Sequence, residues 1–344
     1  MILESTRVTW RVSTALLRRA TMSTPLPEWA PHQALWIGFP SDRSLWADDL
    51  APAQQEVIEF ARAIHADGKG EAVWLVAATE PCADIARKLA PFARVIVEPF
   101  GDIWLRDTGA IVTGSGTARR AQGFGFNGWG AKYDLPGDDS IGERLAVEAG
   151  LAYEKADWIL EGGAIDGDGS GTFITTEQCL LKPNRNPGLS RAAIEQRLAR
   201  DLGATRVVWL GDGLANDHTD GHVDNLARYV APGRVAIPTG GRGDPNRAVY
   251  EDASDRLERA RLDFVTLPSP GKIERDGEIV PASYMNFVIG NAAVVVPLYG
   301  APLDDAAVAV IQALFPDRKA IGLRADHLLT GGGSFHCISQ QVPK

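Results

Sequence analysis

The chain runs TFITTEQCLL at residues 172–181, RAAIEQRLARDL at 191–202 and RVVWL at 206–210. The first and third stretches are short and rich in β-branched or aromatic residues, which is typical of buried strands. The middle stretch has the length and the apolar spacing of an amphipathic helix. Together they predict one strand–helix–strand unit.

The same order of elements recurs along the chain. Further strands are predicted at 34–39, 71–77, 95–97, 264–267, 286–298 and 319–323, and further helices at 50–66, 83–89, 251–262 and 304–315. The part after Met22 has room for five units of about 64 residues, a period that suggests radial or stacked repetition. The alternative is an ordinary doubly wound α/β sheet, but no GxGxxG follows the first predicted strand. The predicted fold class is therefore α/β with repeated units.

The composition limits the classes of function that the protein can have. Hydrophobic residues make up 45% and charged residues 23% of the 344 residues, enough for a large core. The net charge of −9 argues against nucleic-acid and anionic-membrane partners and is compatible with a small cationic ligand. Three scattered cysteines, Cys82, Cys179 and Cys337, do not form a disulfide framework, which predicts a reducing, cytoplasmic compartment.

The N-terminal segment stands apart from the rest. Residues 1–20 contain four arginines and one acidic residue, the composition of an Arg-rich transit segment. Met22 is an alternative start of the protein. We expect residues 1–22 to be an N-terminal extension outside the fold and residues 23–344 to form a single domain.

A Gly-rich turn with one thiol stands near the C-terminal end, GGGSFHCISQQ at residues 331–341. Three glycines permit a tight turn with positive φ and the close approach of a ligand. Taken alone, Cys337 has the usual role of a free cysteine, a small buried hydrophobe. The other polar stretches shift the balance towards a reactive thiol.

Two further stretches place carboxylates among apolar or Gly-rich neighbours. In DIWLRDTG, residues 102–109, strand-like alternation would place Asp107 on the opposite face from Trp104 and Arg106. In LEGGAI, residues 160–165, Glu161 follows an apolar strand and precedes two glycines. Strand ends gather functional groups in α/β folds, although a surface cap is the commoner role of a lone Glu.

The stretch NDHTDGHVDN, residues 216–225, combines carboxylates with two imidazoles. On a helix, His218 and His222 would share a face and suit zinc, although the Asp and Gly between them disfavour a helix. In a strand that leaves a turn, His222 and Asp224 share a face and project into one cleft. We favour the second interpretation.

Asp107, Glu161 and Asp224 come from three separate predicted strand ends. Several carboxylates in one pocket repel one another strongly unless a cation is bound. A planar guanidinium has five donors and pairs bidentately with carboxylates. Trp104 could stack on such a plane. We therefore expect a guanidino ligand.

At these residues the sequence resembles the agmatine deiminase and bacterial peptidylarginine deiminase family of the guanidine-modifying pentein superfamily. Five motifs occur in the family's order: EWAPH (28–32), WLRDTG (104–109), EGG (161–163), DGHVD (220–224) and GGGSFHCISQQ (331–341). The resemblance implies a five-bladed α/β propeller of repeated ββαβ units around a central pocket. It also makes residues 23–344 one catalytic domain.

The resemblance implies an activity as well: hydrolysis of a guanidine to a urea and ammonia without a metal or cofactor. The specific reaction expected from the resemblance is the conversion of agmatine to N-carbamoylputrescine through a covalent thiouronium intermediate. This reaction belongs to putrescine and polyamine biosynthesis. A homodimer is compatible with the family. The positions that match the family's catalytic set are Cys337, His222, Asp224, Asp107 and Glu161. The hypothesised substrate contacts are Trp104, Asp107, Asp224, Arg106, Asn286 and Gly333.

One departure from the family concerns the substrate. Agmatine deiminases often have a Glu four residues before the active histidine, where this chain has His218. A peptidyl arginine or another guanidino compound is therefore an alternative substrate. Three other classes stay open: a metal-dependent amidohydrolase using His218 and His222, a non-enzymatic guanidine-binding protein, and an amidinotransferase.

Overall fold

Five sheets in the described part of the chain share one arrangement of three strands, and the first sheet has a fourth strand in addition. The computed structural model describes residues 24–275 and 277–344. In each of the five sheets, a middle strand is antiparallel to one neighbour and parallel to the other. A helix connects the middle strand to its parallel neighbour. The repeated strand–helix–strand unit predicted from the sequence is thereby confirmed.

The strands are, in chain order, β1 (His32–Phe39), β2 (Ala72–Ala77), β3 (Arg94–Val97), β4 (Ile111–Thr113), β5 (Arg120–Gly125), β6 (Ala152–Ile159), β7 (Ile165–Gly167), β8 (Thr172–Thr176), β9 (Arg206–Leu210), β10 (Arg228–Ala231), β11 (Arg234–Thr239), β12 (Asp263–Pro268), β13 (Glu274–Arg275), β14 (Glu278–Ile279), β15 (Val288–Ile289), β16 (Ala293–Leu298), β17 (Lys319–Arg324) and β18 (Ser339–Pro343). The sheets have the orders β18-β1-β2-β3, β4-β5-β6, β7-β8-β9, β10-β11-β12 and β15-β16-β17, and β13 with β14 forms a small hairpin.

The helices are α1 (Arg43–Trp46), α2 (Leu50–His65), α3 (Glu80–Leu89), α4 (Leu105–Thr108), α5 (Gly128–Ala131), α6 (Ile141–Glu148), α7 (Glu177–Leu180), α8 (Arg191–Leu202), α9 (Arg247–Ala260), α10 (Asp304–Leu314) and α11 (Asp326–Thr330). The crossovers of the five sheets are α2, α6, α8, α9 and α10. Helix α8 shows why the bounds are readable from sequence: the Ser190 hydroxyl accepts from the Ala193 N–H at its start, and Gly203 ends it with φ +67°.

The last strand closes the fold onto the first. Strand β18 pairs antiparallel with β1, from His32 opposite Pro343 to Ile37 opposite Ser339. Cys337 lies two residues before β18. Its position is therefore fixed by the sheet that contains the first strand of the described chain.

The core lies between the helices and the sheets. Nearly all of β1 is buried, as expected of a strand covered on both faces. Helix α2 buries one side through Val57, Phe60, Ala61 and Ile64. Each large apolar side chain buried in this way contributes roughly 1.5–3 kcal/mol to folding.

Three local predictions were wrong. The strand predicted at 172–181 ends at Thr176, whose hydroxyl accepts from the Cys179 N–H and begins α7. The strand-like alternation at 102–109 is replaced by α4. The strand expected from residue 223 begins only at β10, after a 3₁₀ turn, Val223–Asn225.

In the described part of the chain, no helix combines the length and the apolar character needed to cross a membrane. The predicted extension, residues 1–22, lies outside the described residues.

Candidate active site

A cavity of about 220 Å³ opens beside Cys337. The aromatic side chains of Trp104, Trp129 and Tyr133 line it together with Asp107. Apolar walls with a few polar groups are typical of small-molecule sites. The remaining lining residues are Leu45, Asp102, Leu135, His218, Thr219, Thr330, Gly331, Gly332 and Gly333.

The glycine turn before Cys337 is required by close packing. Gly332 has φ +100°, a conformation that favours glycine. A Cβ atom on Gly333 would lie 2.6 Å from the Trp104 ring and 3.2 Å from Cys337 Sγ. Gly333 therefore lets the thiol and the indole share one wall of the cavity.

Two polar side chains flank the Cys337 thiol. Asn286 Nδ2 lies 3.1 Å from Sγ, and Asp224 Oδ2 lies 3.8 Å from it. Burial, followed by the charges of Asp224 and Asp107, raises the pKa of Cys337 well above its usual value. The empty pocket thus favours the thiol, and a bound cation would favour the thiolate.

Asp107 is held by two donors. Trp129 Nε1 donates to Oδ2 at 2.9 Å, and the Gly163 N–H donates to Oδ1 at 3.0 Å. Burial outweighs these bonds and raises the pKa of the Asp107 carboxyl. A cation in the cavity would reverse that effect, since it favours the ionised carboxylate.

Gly163 is the point at which three predicted residues converge. A Cβ atom built there would lie 2.6 Å from His222 Nδ1, 2.9 Å from Asp107 Oδ1 and 3.0 Å from Asp224 Oδ2. Asp224 lies in the 3₁₀ turn at 223–225 and His222 directly precedes that turn, whereas Asp107 lies in α4, more than a hundred residues away in sequence. The second glycine of EGG is therefore needed for space.

His222 lies between Asp107, Glu161 and Cys179. Its Nδ1 is 3.6 Å from Asp107 Oδ1, and one ring nitrogen, Cys179 Sγ and a Glu161 oxygen lie within 4.8 Å of one another. Burial alone would lower the pKa of His222, but Asp107 and then Cys179 and Glu161 outweigh it and raise the pKa well above its usual value. The groups around the ring thus favour the imidazolium form of His222.

Glu161 is fully buried, and only one of its two carboxylate oxygens has a hydrogen-bond partner among the described residues. Its Oε1 accepts from Arg185 Nε at 2.9 Å, whereas Oε2 has no hydrogen-bond partner among the described residues. Glu161, Cys179 and His222 form the one group in residues 24–275 and 277–344 with the spacing of a metal site. Its carboxylate is already paired with the Arg185 cation.

Asp224 has one bonded and one open oxygen. Its Oδ2 accepts from His336 Nδ1 at 2.8 Å, and Oδ1 is buried without a partner in the described part of the protein. Burial would raise the pKa of Asp224, but the hydrogen bond and charge of His336 outweigh it and lower the pKa. Asp224 is thus an ionised acceptor with a free oxygen.

The two histidines of residues 216–225 do not share a site. His218 Nδ1 lies 2.8 Å from the Tyr133 hydroxyl, and Lys132 Nζ donates to the His218 carbonyl at 2.7 Å. His218 lines the cavity, whereas His222 is fully buried. The zinc interpretation of this pair was wrong, because the backbone here is not a helix.

The position of Arg106 differs from the expected substrate contact. Its Nη1 donates to the side chains of Gln340 and Gln341, and its Nε donates to the His336 carbonyl. It lines a separate cavity of about 50 Å³ and not the one beside Cys337. The helical turn α4 is the reason, since it points Arg106 away from Asp107.

The structure brings together the five residues of the family's catalytic set, with Trp104, Asn286 and Gly333 beside them. Sequence reasoning missed Trp129, Arg185 and Cys179. Trp129 carried a signal in the sequence, since it stands between Gly128 and Gly130, and the structure gives it φ +54°. Arg185 and Cys179 carried none, because their partners are distant in sequence.

Known proteins of one family are similar to this chain over nearly its whole length. The family model for Porphyromonas-type peptidyl-arginine deiminase matches residues 24–343. A putative agmatine deiminase of Vibrio parahaemolyticus is 35% identical over 92% of this chain and 95% of its own. The agmatine deiminase of Stutzerimonas stutzeri is 37% identical over 92% and 94%.

Solved structures show the same fold. The agmatine deiminase of Enterococcus faecalis superposes with a TM-score of 0.88 at 32% identity, over 94% of this chain and 96% of its own. A substrate-bound C. jejuni agmatine deiminase gives 0.87 at 28% identity, over 94% and 97%. The predicted α/β pentein fold is thereby confirmed, and the chain belongs to the Porphyromonas-type peptidyl-arginine deiminase family.

Proposed function

We propose that the protein is an agmatine deiminase, which hydrolyses agmatine to N-carbamoylputrescine and ammonia. The observation that carries the proposal is the convergence of Asp107, His222 and Asp224 on Gly163, with Cys337 beside Asp224. The similarity to agmatine deiminases over nine-tenths of the chain supports the same activity.

The guanidinium binds between Asp107 and Asp224. Each carboxylate can accept two hydrogen bonds from the planar fork of the guanidinium. Asp224 Oδ1 and Glu161 Oε2 are buried acceptors without a protein partner in the described chain, and a cation would satisfy them. Trp104 lines the cavity against the face of the plane.

Cys337 then attacks the central carbon as a thiolate. The bound cation offsets the charges of Asp107 and Asp224, which lowers the thiol pKa and raises the thiolate fraction. Attack forms the carbon–sulfur bond of a tetrahedral adduct. His222 gives its proton to one amino group, which leaves as ammonia with the electron pair of its carbon–nitrogen bond.

Water completes the reaction. The remaining intermediate is a thiouronium on Cys337, and neutral His222 takes a proton from the attacking water. The carbon–sulfur bond then breaks and returns the thiolate, and the hydroxyl proton of the adduct passes through solvent to the released ammonia. The product is a urea, and the positive charge of the substrate leaves with the nitrogen as ammonium. Glu161 orients the imidazole and completes the clamp, and Asn286 stabilises the sulfur at 3.1 Å.

The size of the cavity favours a small guanidine over a peptidyl arginine. Its volume of about 220 Å³ is below the roughly 300–1,000 Å³ of sites for drug-sized ligands. The rings of Trp104, Trp129 and Tyr133 leave a narrow space for a slim alkyl chain. The predicted homodimer and the cytoplasmic location stay predictions.

Ammonia release tests the proposal directly. We expect release from agmatine, and none or far less from arginine and from a C-terminal arginyl peptide. Cys337→Ala should abolish turnover while binding of agmatine stays measurable, and iodoacetamide but not EDTA should inactivate the wild-type protein. Retained turnover in that variant, or no ammonia from any guanidine, would overturn the assignment.

A further inference from the structure

His336, the residue before the nucleophile, bridges two buried carboxylates. Its Nδ1 lies 2.8 Å from Asp224 Oδ2, and its Nε2 lies 3.0 Å from Glu28 Oε2. The residue is 2% exposed, so water does not compete for these contacts. His336 is therefore a direct link between the substrate clamp and Glu28.

The two contacts define the state of the ring. A carboxylate oxygen only accepts, so an imidazole nitrogen facing it must donate. A ring with both protons, and therefore one positive charge, satisfies the two acceptors at once. At Asp224 the hydrogen bond and charge of His336 outweigh burial, and at Glu28 the charges of Arg228 and His336 outweigh it, so the pKa of each carboxyl is lowered.

Glu28 is itself rigidly held. Arg228 Nη2 donates to the same Oε2, and the Ile289 N–H donates to Oε1 at 2.7 Å. Arg228 Nη1 also donates to the Phe287 carbonyl at 2.9 Å. A carboxylate with three partners holds its hydrogen-bonded imidazole in one orientation.

Asp224 connects this arrangement to the chemistry. The oxygen that accepts from His336 is the one 3.8 Å from Cys337 Sγ, and the other oxygen, Oδ1, is buried without a hydrogen-bond partner among the described residues. The orientation of the carboxylate thus depends on His336. A rotation of Asp224 would remove both the open acceptor and its alignment with the thiol.

We propose that His336, held as a cation by Glu28, is a positioning residue that keeps Asp224 ionised and turned towards the substrate. The inference rests on the proposed function. The charged or titratable groups around His336 and its partners are Glu28, Asp166, Asp224, Arg106, Arg228, His222 and Cys337. Among the described residues, His336 is the one nitrogen donor to the Asp224 carboxylate, at 2.8 Å, and the Cys337 thiol lies farther away at 3.8 Å, so removal of His336 acts on Asp224 first.

The pH profile separates positioning from a structural role. The kcat/KM for agmatine needs ionised Asp224, and the His336 cation lowers the pKa of that carboxyl. In full-length His336→Gln, the acid limb of the kcat/KM profile should move to higher pH. The plateau should fall by about 10- to 100-fold, as expected for a lost charge-assisted hydrogen bond.

Glu28→Gln is the second variant. It leaves His336 in place but removes the acceptor that requires the second proton, so it should move the acid limb in the same direction by less. If His336→Gln does not fold, Glu28→Gln alone tests whether His336 is a positioning residue. Arg228 keeps a carbonyl acceptor in the new amide.

His327→Gln is the matched control. His327 Nδ1 also faces a carboxylate, Asp49 at 2.6 Å, but its side chain is 42% exposed and lies outside the cavity. The acid limb of the kcat/KM profile of His327→Gln should coincide with that of the wild-type protein.

An active wild-type protein whose folded variants keep the wild-type acid limb would overturn the role of His336 alone. A wild-type protein that releases ammonia from no guanidine would instead overturn the proposed function. The two failures are thus distinguished in one experiment.

Discussion

Asp224 and Cys337 lie side by side in the buried site, with 3.8 Å between Asp224 Oδ2 and Cys337 Sγ. A carboxylate next to a thiol opposes the formation of the thiolate, and burial opposes it further. Both effects favour the thiol form of Cys337. Under the proposed function, this arrangement ties the reactivity of Cys337 to the presence of a positively charged substrate.

The first prediction concerns the free thiol. Asp224→Asn removes a negative charge beside Sγ, so the apparent pKa of Cys337 should fall and alkylation by iodoacetamide near pH 7 should become faster. The rate is measured without substrate at intervals of about one pH unit, from about pH 6 to about pH 10. Cys337→Ser gives the background from Cys82 and Cys179. An equal or slower rate in Asp224→Asn would contradict the charge relationship.

The second prediction concerns substrate binding. Asp107→Asn loses an anionic acceptor while the amide oxygen can still accept from Trp129 or Gly163. We expect the affinity for agmatine to fall by about 10- to 100-fold, because hydrogen bonds to charged groups contribute roughly 1.5–3 kcal/mol. Calorimetry in a Cys337→Ser background measures binding without turnover. Asp305→Asn, on the exposed side of α10, is the control, and an unchanged affinity in Asp107→Asn would count against the clamp.

The third prediction concerns Gly163. A methyl group there would lie 2.6 Å from His222 Nδ1, so Gly163→Ala should displace the imidazole. We expect kcat to fall sharply and stability to fall by about 1–3 kcal/mol, the usual cost of overpacking. Gly241→Ala is the control, since a methyl group there meets no atom within 4 Å. Urea unfolding and steady-state kinetics measure both effects, and wild-type kinetics in Gly163→Ala would show that the crowding is relieved elsewhere.

The fourth prediction concerns Asp138, which supports the segment before α4. Its Oδ1 accepts from the Gly101 N–H at 2.7 Å, and burial raises its pKa to about 7. A raised carboxyl pKa means that folding favours the protonated form. Asp138 should therefore stabilise the fold fully below the unfolded pKa of about 4 and lose this contribution as the pH rises towards 7.

Asp138→Asn keeps the Oδ1 acceptor and removes the buried charge. The difference in unfolding free energy between variant and wild type should grow in favour of the variant from pH 4 to pH 8, by at most about 4 kcal/mol. Denaturant unfolding at several pH values measures it. A pH-independent difference would mean that Asp138 titrates alike in both states.

The fold was predictable because its signals are local. The apolar run of β1, the length of α2 and the Ser190 cap of α8 each depend on neighbouring residues. Their order along the chain was enough to predict the repeated strand–helix–strand unit, although only the strand before Glu161 was predicted for the β4-β5-β6 sheet, and its crossover α6 was not predicted. The prediction failed at Thr176, where a side-chain cap ends an apolar run that periodicity alone would continue.

By itself, the sequence determined the repeated units, the five motifs and therefore the family and the chemical type of each site residue. Only the tertiary structure decided which atoms meet. His336 and Asp224 are 112 residues apart, and Arg185 and Glu161 are brought together by the packing of a loop against the site. Arg106 and Asp107 are adjacent in sequence, yet the helical turn α4 sends one away from the cavity and the other into it. Local periodicity predicts which face of a helix or strand a side chain lies on. The direction of that side chain and the charge it carries depend on hydrogen bonds between segments that are distant in sequence.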